Sequence, residues 1–563
     1  MSNIPRIGAE SSGFQNQRQT SYAARLNKLS ETPLQPELYS RVQYQCLARF
    51  LSTAPVCSSQ QTPDSDSTDS QRQRARQRNY GFIHVVVHTF SADQQQPPQR
   101  HDFDLDGLAR FEDHPQPDGG ADQVVFVRGS LSTAWIEALG TKYKIDPEFF
   151  RRHLRYLPGR DYSDLPSLPS ANTEMMTLVL PSLYTRSHSL APGQIRKCRG
   201  EDADVARRNQ NSISGSMACG ETVIRRFSTL SDRLFSIEQD ISIFKRNRRS
   251  GGQTVVVLLD NGLEMNQKDG PPCFSRQDSL MQGAATTRVS PIPVIVPRPP
   301  TLLITVDHPK VPRHHDPSSA TSICHVASLL PFYFGMSTLA TSTTTAAPPN
   351  VFALICEVFR LVAASECQFL NRLRSLVQDQ ELDPADGESM SLAIDTLRYI
   401  KALSEQHRQC LKQNVAFLET HCSADLDART SAANLDARSP SYLDVRSPSV
   451  AGSSTHTQRT QPPPPPPDEL TSILVDFKEL LARAESLSAF CSETVGLILN
   501  GAMLRESQKA IQKADDQRRL TVLAYLFLPL SLVFSFFGMN VIELGTGSRG
   551  IWLPFVVLAP SLG

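Results

Sequence analysis

An excess of charge of one sign, paired cysteines and familiar catalytic signatures are all missing from this chain. Lys plus Arg and Asp plus Glu number 57 each, a balance that argues against a protein held on nucleic acid by a basic surface. Its 11 cysteines are scattered and odd in number, with no CxxC pair. Neither a disulfide framework nor a thiolate zinc site is indicated, and they read as reduced thiols. No phosphate loop, HExxH or GxSxG occurs, so the expectation is a protein that is not an enzyme. The opening MSNIPRIGAESSGFQNQRQTS has no apolar core of the kind a signal peptide needs. With 40 prolines and long polar tracts, much of the 563-residue length is not core either.

One apolar run breaks this pattern. Residues 520–542 carry no charge, and as a helix they would span about 34 Å against a hydrocarbon core of about 30 Å. Arg505, Lys509, Lys513, Arg518 and Arg519 precede the run, whereas Arg549 follows it. The positive-inside rule therefore predicts a membrane protein whose N-terminal bulk is cytosolic, with Gly538-Met539-Asn540 facing the opposite side. Within the run, Leu528, Ser531 and Ser535 share one helical face that leads toward Asn540. That polar stripe suits the lining of a pore. Two serines bonded to their own i−4 carbonyls beside a Pro529 kink would satisfy the same pattern.

The segment RRLTVLAYLFLPLSLVFSFFGMN resembles the first transmembrane helix of the CorA-like magnesium transporters, the fungal branch especially. The match includes Leu520-Thr521, Pro529-Leu530 and the closing Gly538-Met539-Asn540. The stretches FVRGSLSTAWIEALGTKYKIDPEFFRRHL, LFSIEQDISIF and ALICEVFRLVAASECQFLNRL resemble cytosolic parts of the same family. The resemblance implies five identical chains around one pore lined by this helix, with the Gly-Met-Asn loop as the ion entrance. Magnesium is then the transported ion and not a cofactor. The implied partners are the lipid bilayer and further copies of the chain, with no nucleic acid.

Asn540 has a physical role in that scheme. Magnesium dehydrates reluctantly and is usually held through its waters, and a ring of neutral amide oxygens can accept hydrogen bonds from that hydration shell without trapping the ion. Glu543 would raise the local cation concentration at the mouth; a solvated interfacial carboxylate is its plainer reading. Residues 551–563 begin a second crossing, but as a helix they reach only about 20 Å. The expectation for this form is little or no flux, and the selectivity role of Asn540 applies to a form with a complete second crossing. The competing reading is a tail-anchored, non-conducting scaffold, or a truncated and inactive transporter.

The fold class expected is an α/β cytosolic domain followed by long stalk helices and a C-terminal transmembrane helix, with disordered linkers. Residues 1–79 read as mostly disordered around a short helix-prone piece, and 80–260 as the α/β domain. Strands are expected at 82–90, 124–128, 175–180, 235–243 and 254–260 from their aliphatic and β-branched content. Asp146, Pro147 and Glu148 start a helix as N-cap, N1 and first-turn acid. Residues 261–349 form a Pro/Ser/Thr-rich linker in which the apolar 329–335 docks on the domain as an irregular buried loop. An antiparallel helical pair occupies 350–421, its second helix running over about 389–420. A disordered insert with three LDxR copies, at Leu426, Leu435 and Leu443, and a polyproline run fills 422–467. The stalk covers 468–519, the first transmembrane helix and Gly-Met-Asn 520–540, a loop 541–550, and the incomplete second crossing 551–563.

The stalk seam is expected at Leu470, Leu474, Phe477, Leu481, Ala484, Leu487, Cys491, Thr494, Ile498 and Gly501. Nearer the membrane, Asp515 and Asp516 are candidates for attracting cations. His84 and His88 fall on one face of a strand and read as structural. His314, His315 and Asp316 read as solvated loop residues. Arg151, Arg152 and His153 read as surface charge on an amphipathic helix that turns Phe149, Phe150 and Leu154 inward.

Overall fold

The computed structural model describes residues 21–31, 42–52, 82–91, 98–117, 120–155, 174–216, 219–248, 251–262, 265–266, 289–296, 322–323, 330–332, 334, 355–380, 387–436, 469–537, 552 and 556. They fall into two compact units. The first comprises Met1–Gln378 with Tyr399–Ser488, and the second Asp379–Arg398 with Ala489–Gly563.

In the first unit the aliphatic runs become a curled sheet. Its strands are β1 (Ile83–Phe90), β2 (Gln99–Asp104), β3 (Asp122–Arg128), β4 (Met175–Arg186), β5 (Arg226–Thr229), β6 (Leu234–Asn247), β7 (Gln253–Leu259) and β9 (Val289–Pro291). They lie in the order β2-β1-β3-β7-β6-β4-β9, with β5 on β6. The β3–β7 pair is parallel and the other pairs are antiparallel. β6 pairs β4 along 234–244, while its other edge takes β5 at 235–238 and β7 from 241 onward. One strand serving two partners on one edge bends the sheet. A short pair, β8 (Met265–Asn266) and β10 (Ser322–Ile323), stands apart from it.

Helices cover this sheet. They are α1 (Tyr22–Glu31), α2 (Gln45–Ser52), α3 (Leu108–Asp113), α4 (Thr133–Tyr143), α5 (Pro147–His153) and α6 (Pro192–Ser216). Val85, Val125, Val256 and Leu258 form one core with Trp135 and Phe150. Tyr184, Phe227, Phe235 and Ile237 form another with Val205 of α6. Burial on both faces explains why these strands read as nearly continuous apolar runs. Asp146 caps α5 through Glu148 N, with Pro147 at its start, and Ser132 caps α4 through Trp135 N.

Several sequence expectations shift here. Within 1–79, α1 and α2 are folded against the core: Tyr22 Oη donates to Ile145 O at 3.1 Å, and Glu137 accepts the N–H groups of Tyr22 and Ala23 at 2.5 and 2.7 Å. Gly140 makes the contact possible, since a Cβ there would lie 2.8 Å from the Tyr22 ring. The strands extend beyond their expected ends, β4 to Arg186 and β6 to Asn247. The polar α6 went unread, because its apolar residues are too sparse to mark a face. The docking of residues 329–335 is seen where that segment is described. Phe332 and Phe334 are buried, and Pro331 O lies 2.8 Å from His88 Nε2.

The remaining helices are α7 (Cys356–Gln378), α8 (Gly387–Asp436) and α9 (Glu469–Phe537). Within the first unit α7 runs parallel to α9, with Phe359 on Phe477 and Cys367 on Arg483. α8 runs antiparallel to α9, with Ser404 on Ala484 and Glu419 on Lys478. The antiparallel pairing expected for α7 and α8 follows. α8 overruns its expected end and carries helical backbone to Asp436, through the first LDxR copy at Leu426; the polyproline run lies outside the described residues.

α9 is one continuous helix, and its buried positions are Leu470, Ile473, Phe477, Leu480, Ala484, Leu487, Cys491, Thr494 and Ile498. Steps of three and four hold throughout, as a bundle seam requires. Leu474 and Leu481, expected in the seam, are half-exposed, and Ile473 and Leu480 take their places. The apolar neighbours at 473–474 and 480–481 leave that phase ambiguous in the sequence. In the second unit, every residue of α9 from Glu506 to Leu528 is exposed.

Candidate functional site

Among the described residues one helix is long and apolar enough to cross a membrane, Leu470–Ser535 within α9. The helix carries Pro529 without a break. The missing N–H of a proline inside a helix leaves one carbonyl to be satisfied otherwise, which a membrane helix tolerates. Leu528, Ser531 and Ser535 lie at i, i+3 and i+7 of this helix and are exposed, as are Asp515 and Asp516. Leu520, Leu526, Phe527 and Leu532 are also bare, from 48% to 70% exposed. Gly538, Met539, Asn540 and Glu543 lie outside the described residues, as do His314, His315 and Asp316.

The first unit holds a second concentration of polar chemistry. β6 carries Glu238 and Asp240 two residues apart, hence on one face, and both are almost fully buried. Glu238 accepts from Arg226 Nη1 at 3.0 Å, and Asp240 accepts from Arg155 Nη2 at 2.7 Å. Asp260, just after β7, takes both Arg225 Nε and Nη2, at 2.5 and 2.7 Å, and the Asp240 N–H at 2.6 Å. Burial pushes the Asp260 carboxyl up to about 6, although Arg225 opposes the rise.

Arg151 and His153 belong to this interior, which corrects the surface-charge expectation. Both are buried; Arg151 and Arg152 share Glu148 at 2.6 and 2.7 Å, and His153 Nδ1 meets Ser242 Oγ at 3.0 Å. Burial, with Arg225 and Arg155 adding to it, drives the His153 pKa well below the ordinary imidazole value. A short helix with aromatic residues at 149 and 150 looks amphipathic in sequence. Here it is enclosed on more than one side.

His407 of α8 sits between Glu366 of α7 and Glu238 of β6, with Nδ1 2.9 Å from Glu366 Oε1 and Nε2 3.3 Å from Glu238 Oε1. Burial works against its charge, but the two carboxylates outweigh that cost and raise its pKa to about 10. The Glu238 carboxyl is lowered in turn: burial would raise it, and His407 and Arg226 prevail. Nearby, Asp202 of α6 accepts from Thr229 N, Thr229 Oγ1 and Tyr399 Oη at 2.8, 2.9 and 2.8 Å. Sequence reading missed this network. Its available signal was the acidic pair inside the apolar β6 text, where charge is rarely tolerated without partners.

His84 and His88 are structural, as expected, but do not share an environment. Register shifts between Ile83 and Val85; His84 packs on Trp135, while His88 packs on Phe126 and Phe334. Burial lowers both to about 4. Cys219 Sγ lies 3.6 Å from His84 Nε2, yet burial pushes this thiol up to about 11. An activated thiolate needs the opposite shifts. Among the described residues no group of three or more His, Cys, Asp or Glu is placed to hold a metal ion.

Comparison of the chain with protein-family models and with curated proteins gives no match.

Proposed function

We propose that this chain is a membrane protein that passes divalent cations, magnesium first, as a homo-oligomeric pore of the CorA-like kind with five subunits. The observation that carries the reading is the continuity of α9. The same helix begins in a buried bundle seam at Leu470, carries a largely exposed apolar stretch from Leu520 to Ser535, and ends at Phe537, immediately before Gly538-Met539-Asn540. Exposed Leu, Phe and Tyr side chains over several turns are costly in water, at about 25 cal/mol per Å² of apolar surface; lipid or neighbouring copies remove that cost. Leu528, Ser531 and Ser535 would line the path, and Asn540 would meet the hydrated ion at its mouth. The first unit would lie in the cytosol, on the side of Arg505, Lys509, Lys513, Arg518 and Arg519.

The test is magnesium uptake into a transport-deficient host by a form of the chain carrying a complete second crossing. Asn540→Ala should abolish uptake and leave the oligomer intact by crosslinking. Uptake unchanged by the substitution removes the selectivity mechanism. A second reading, a membrane-anchored, non-conducting scaffold, is favoured by the single membrane-length helix among the described residues. It predicts no flux from any form and full membrane retention.

A further inference from the structure

A cleft of about 470 Å³ opens in the first unit beside the charged core, within the range of about 300–1,000 Å³ usual for small-molecule sites. Arg152, Arg155, Arg225 and Arg226 line it against two carboxylates, Glu238 and Asp240. The carboxylates occupy same-face positions on β6, about 7 Å apart. Each holds one partly exposed arginine from a different segment: Asp240 holds Arg155, whose side chain is 41% exposed, and Glu238 holds Arg226, 36% exposed. These contacts run through Arg155 Nη2 and Arg226 Nη1. A guanidinium has five N–H donors in a planar fork, so each arginine is oriented by a buried anion and keeps donors for another.

The part of the lining that α8 contributes has different chemistry. Gln406, Gln409, Gln413 and Asn414 of α8 line it at steps of three, four and one, a single helical face that carries amides and no charge. Phe149 and Met175 contribute apolar surface. Two guanidiniums lining one cleft, each oriented by its own carboxylate, suit the oxygens of phosphate groups, for which the arginine fork is a preferred recognition element. A row of neutral donors and acceptors matches a polar, uncharged body.

We propose that this cleft binds a small organic phosphate of the nucleotide class, its phosphates on Arg155 and Arg226 and its base along the glutamine face of α8. The site is independent of the transport reading. It joins β6 to α8, so occupancy would tighten the packing of the α8 helix on the sheet.

The experiment is isothermal titration of the full-length protein in detergent, without magnesium, using ATP, pyrophosphate, inorganic phosphate and adenosine as probes. Saturable ATP binding below about 1 mM is expected, at least about tenfold tighter than inorganic phosphate or adenosine. Gln409 is exposed and Gln413 half-exposed, so Gln409→Glu with Gln413→Glu should leave the thermal melt unchanged while weakening ATP about tenfold or more. Arg155→Lys with Arg226→Lys, which keeps both ion pairs and removes the fork, should weaken ATP and pyrophosphate together. No ATP heat up to about 1 mM, phosphate binding as tight as ATP, or ATP binding indifferent to the paired glutamates would overturn the proposal.

Discussion

His407 keeps its charge in the interior because Glu366 and Glu238 face its two ring nitrogens. Removing one partner from a buried ion group leaves the others uncompensated, at a cost of about 3–5 kcal/mol. His407→Ala should therefore lower unfolding stability by about that amount in near-UV circular dichroism, and a loss below about 1 kcal/mol would show that the triad contributes little. The pH dependence has a definite sign. The folded-state pKa of His407 is raised from 6.5 to about 10, so its contribution is complete below 6.5 and declines as pH rises through about 10. Glu238 is depressed below 4.5, so its contribution is present above 4.5 and fades as pH falls through its folded value. Stability from this triad should be greatest between these limits. A wild-type profile that rises from pH 7 to 10 would contradict it. None of this was legible residue by residue, since Glu238, Glu366 and His407 are far apart in the chain and meet only through the fold. The caps at Asp146 and Pro147 were legible because they act within a few residues.

At the scale of elements, the docking of α1 rests on a close approach that only glycine permits. Gly140→Val should displace the Tyr22 ring and free α1, so hydrogen exchange should rise over Tyr22–Glu31 while β6 stays protected. Unchanged exchange in α1 would mean that Gly140 is not what seats it. Composition made β1, β3 and β7 readable, because each is built around β-branched residues, as in Val85-Val86-Val87. Over α1 and α2 it showed a short helix-prone piece but not the α4 surface that seats it, and in α6 charge hides the buried side. In α9 the period was right, but adjacent leucines and isoleucines concealed which member of each pair turns inward. The stripe of Leu528, Ser531 and Ser535 lies on a continuous helix, as the spacing required. The Gly538-Met539-Asn540 assignment rests on the sequence alone.

At the scale of the whole molecule, one helix would serve as both bundle seam and membrane segment in the proposed pore. That division is written in composition: seam residues recur at three and four up to Ile498, basic residues follow to Arg519, and charge then stops. The first consequence is biochemical. The protein should stay with membranes through alkaline carbonate extraction, whereas deletion of residues 520–537 should release it. The proposed pore requires the end of this helix to reach the far side of the bilayer. Cysteine-accessibility labelling of Gly545→Cys in a background without the other cysteines, using a membrane-impermeant maleimide, tests that requirement. The account predicts labelling from outside intact cells or vesicles, with residues 80–515 accessible only after permeabilisation. Labelling of position 545 only from the cytosolic side would contradict it.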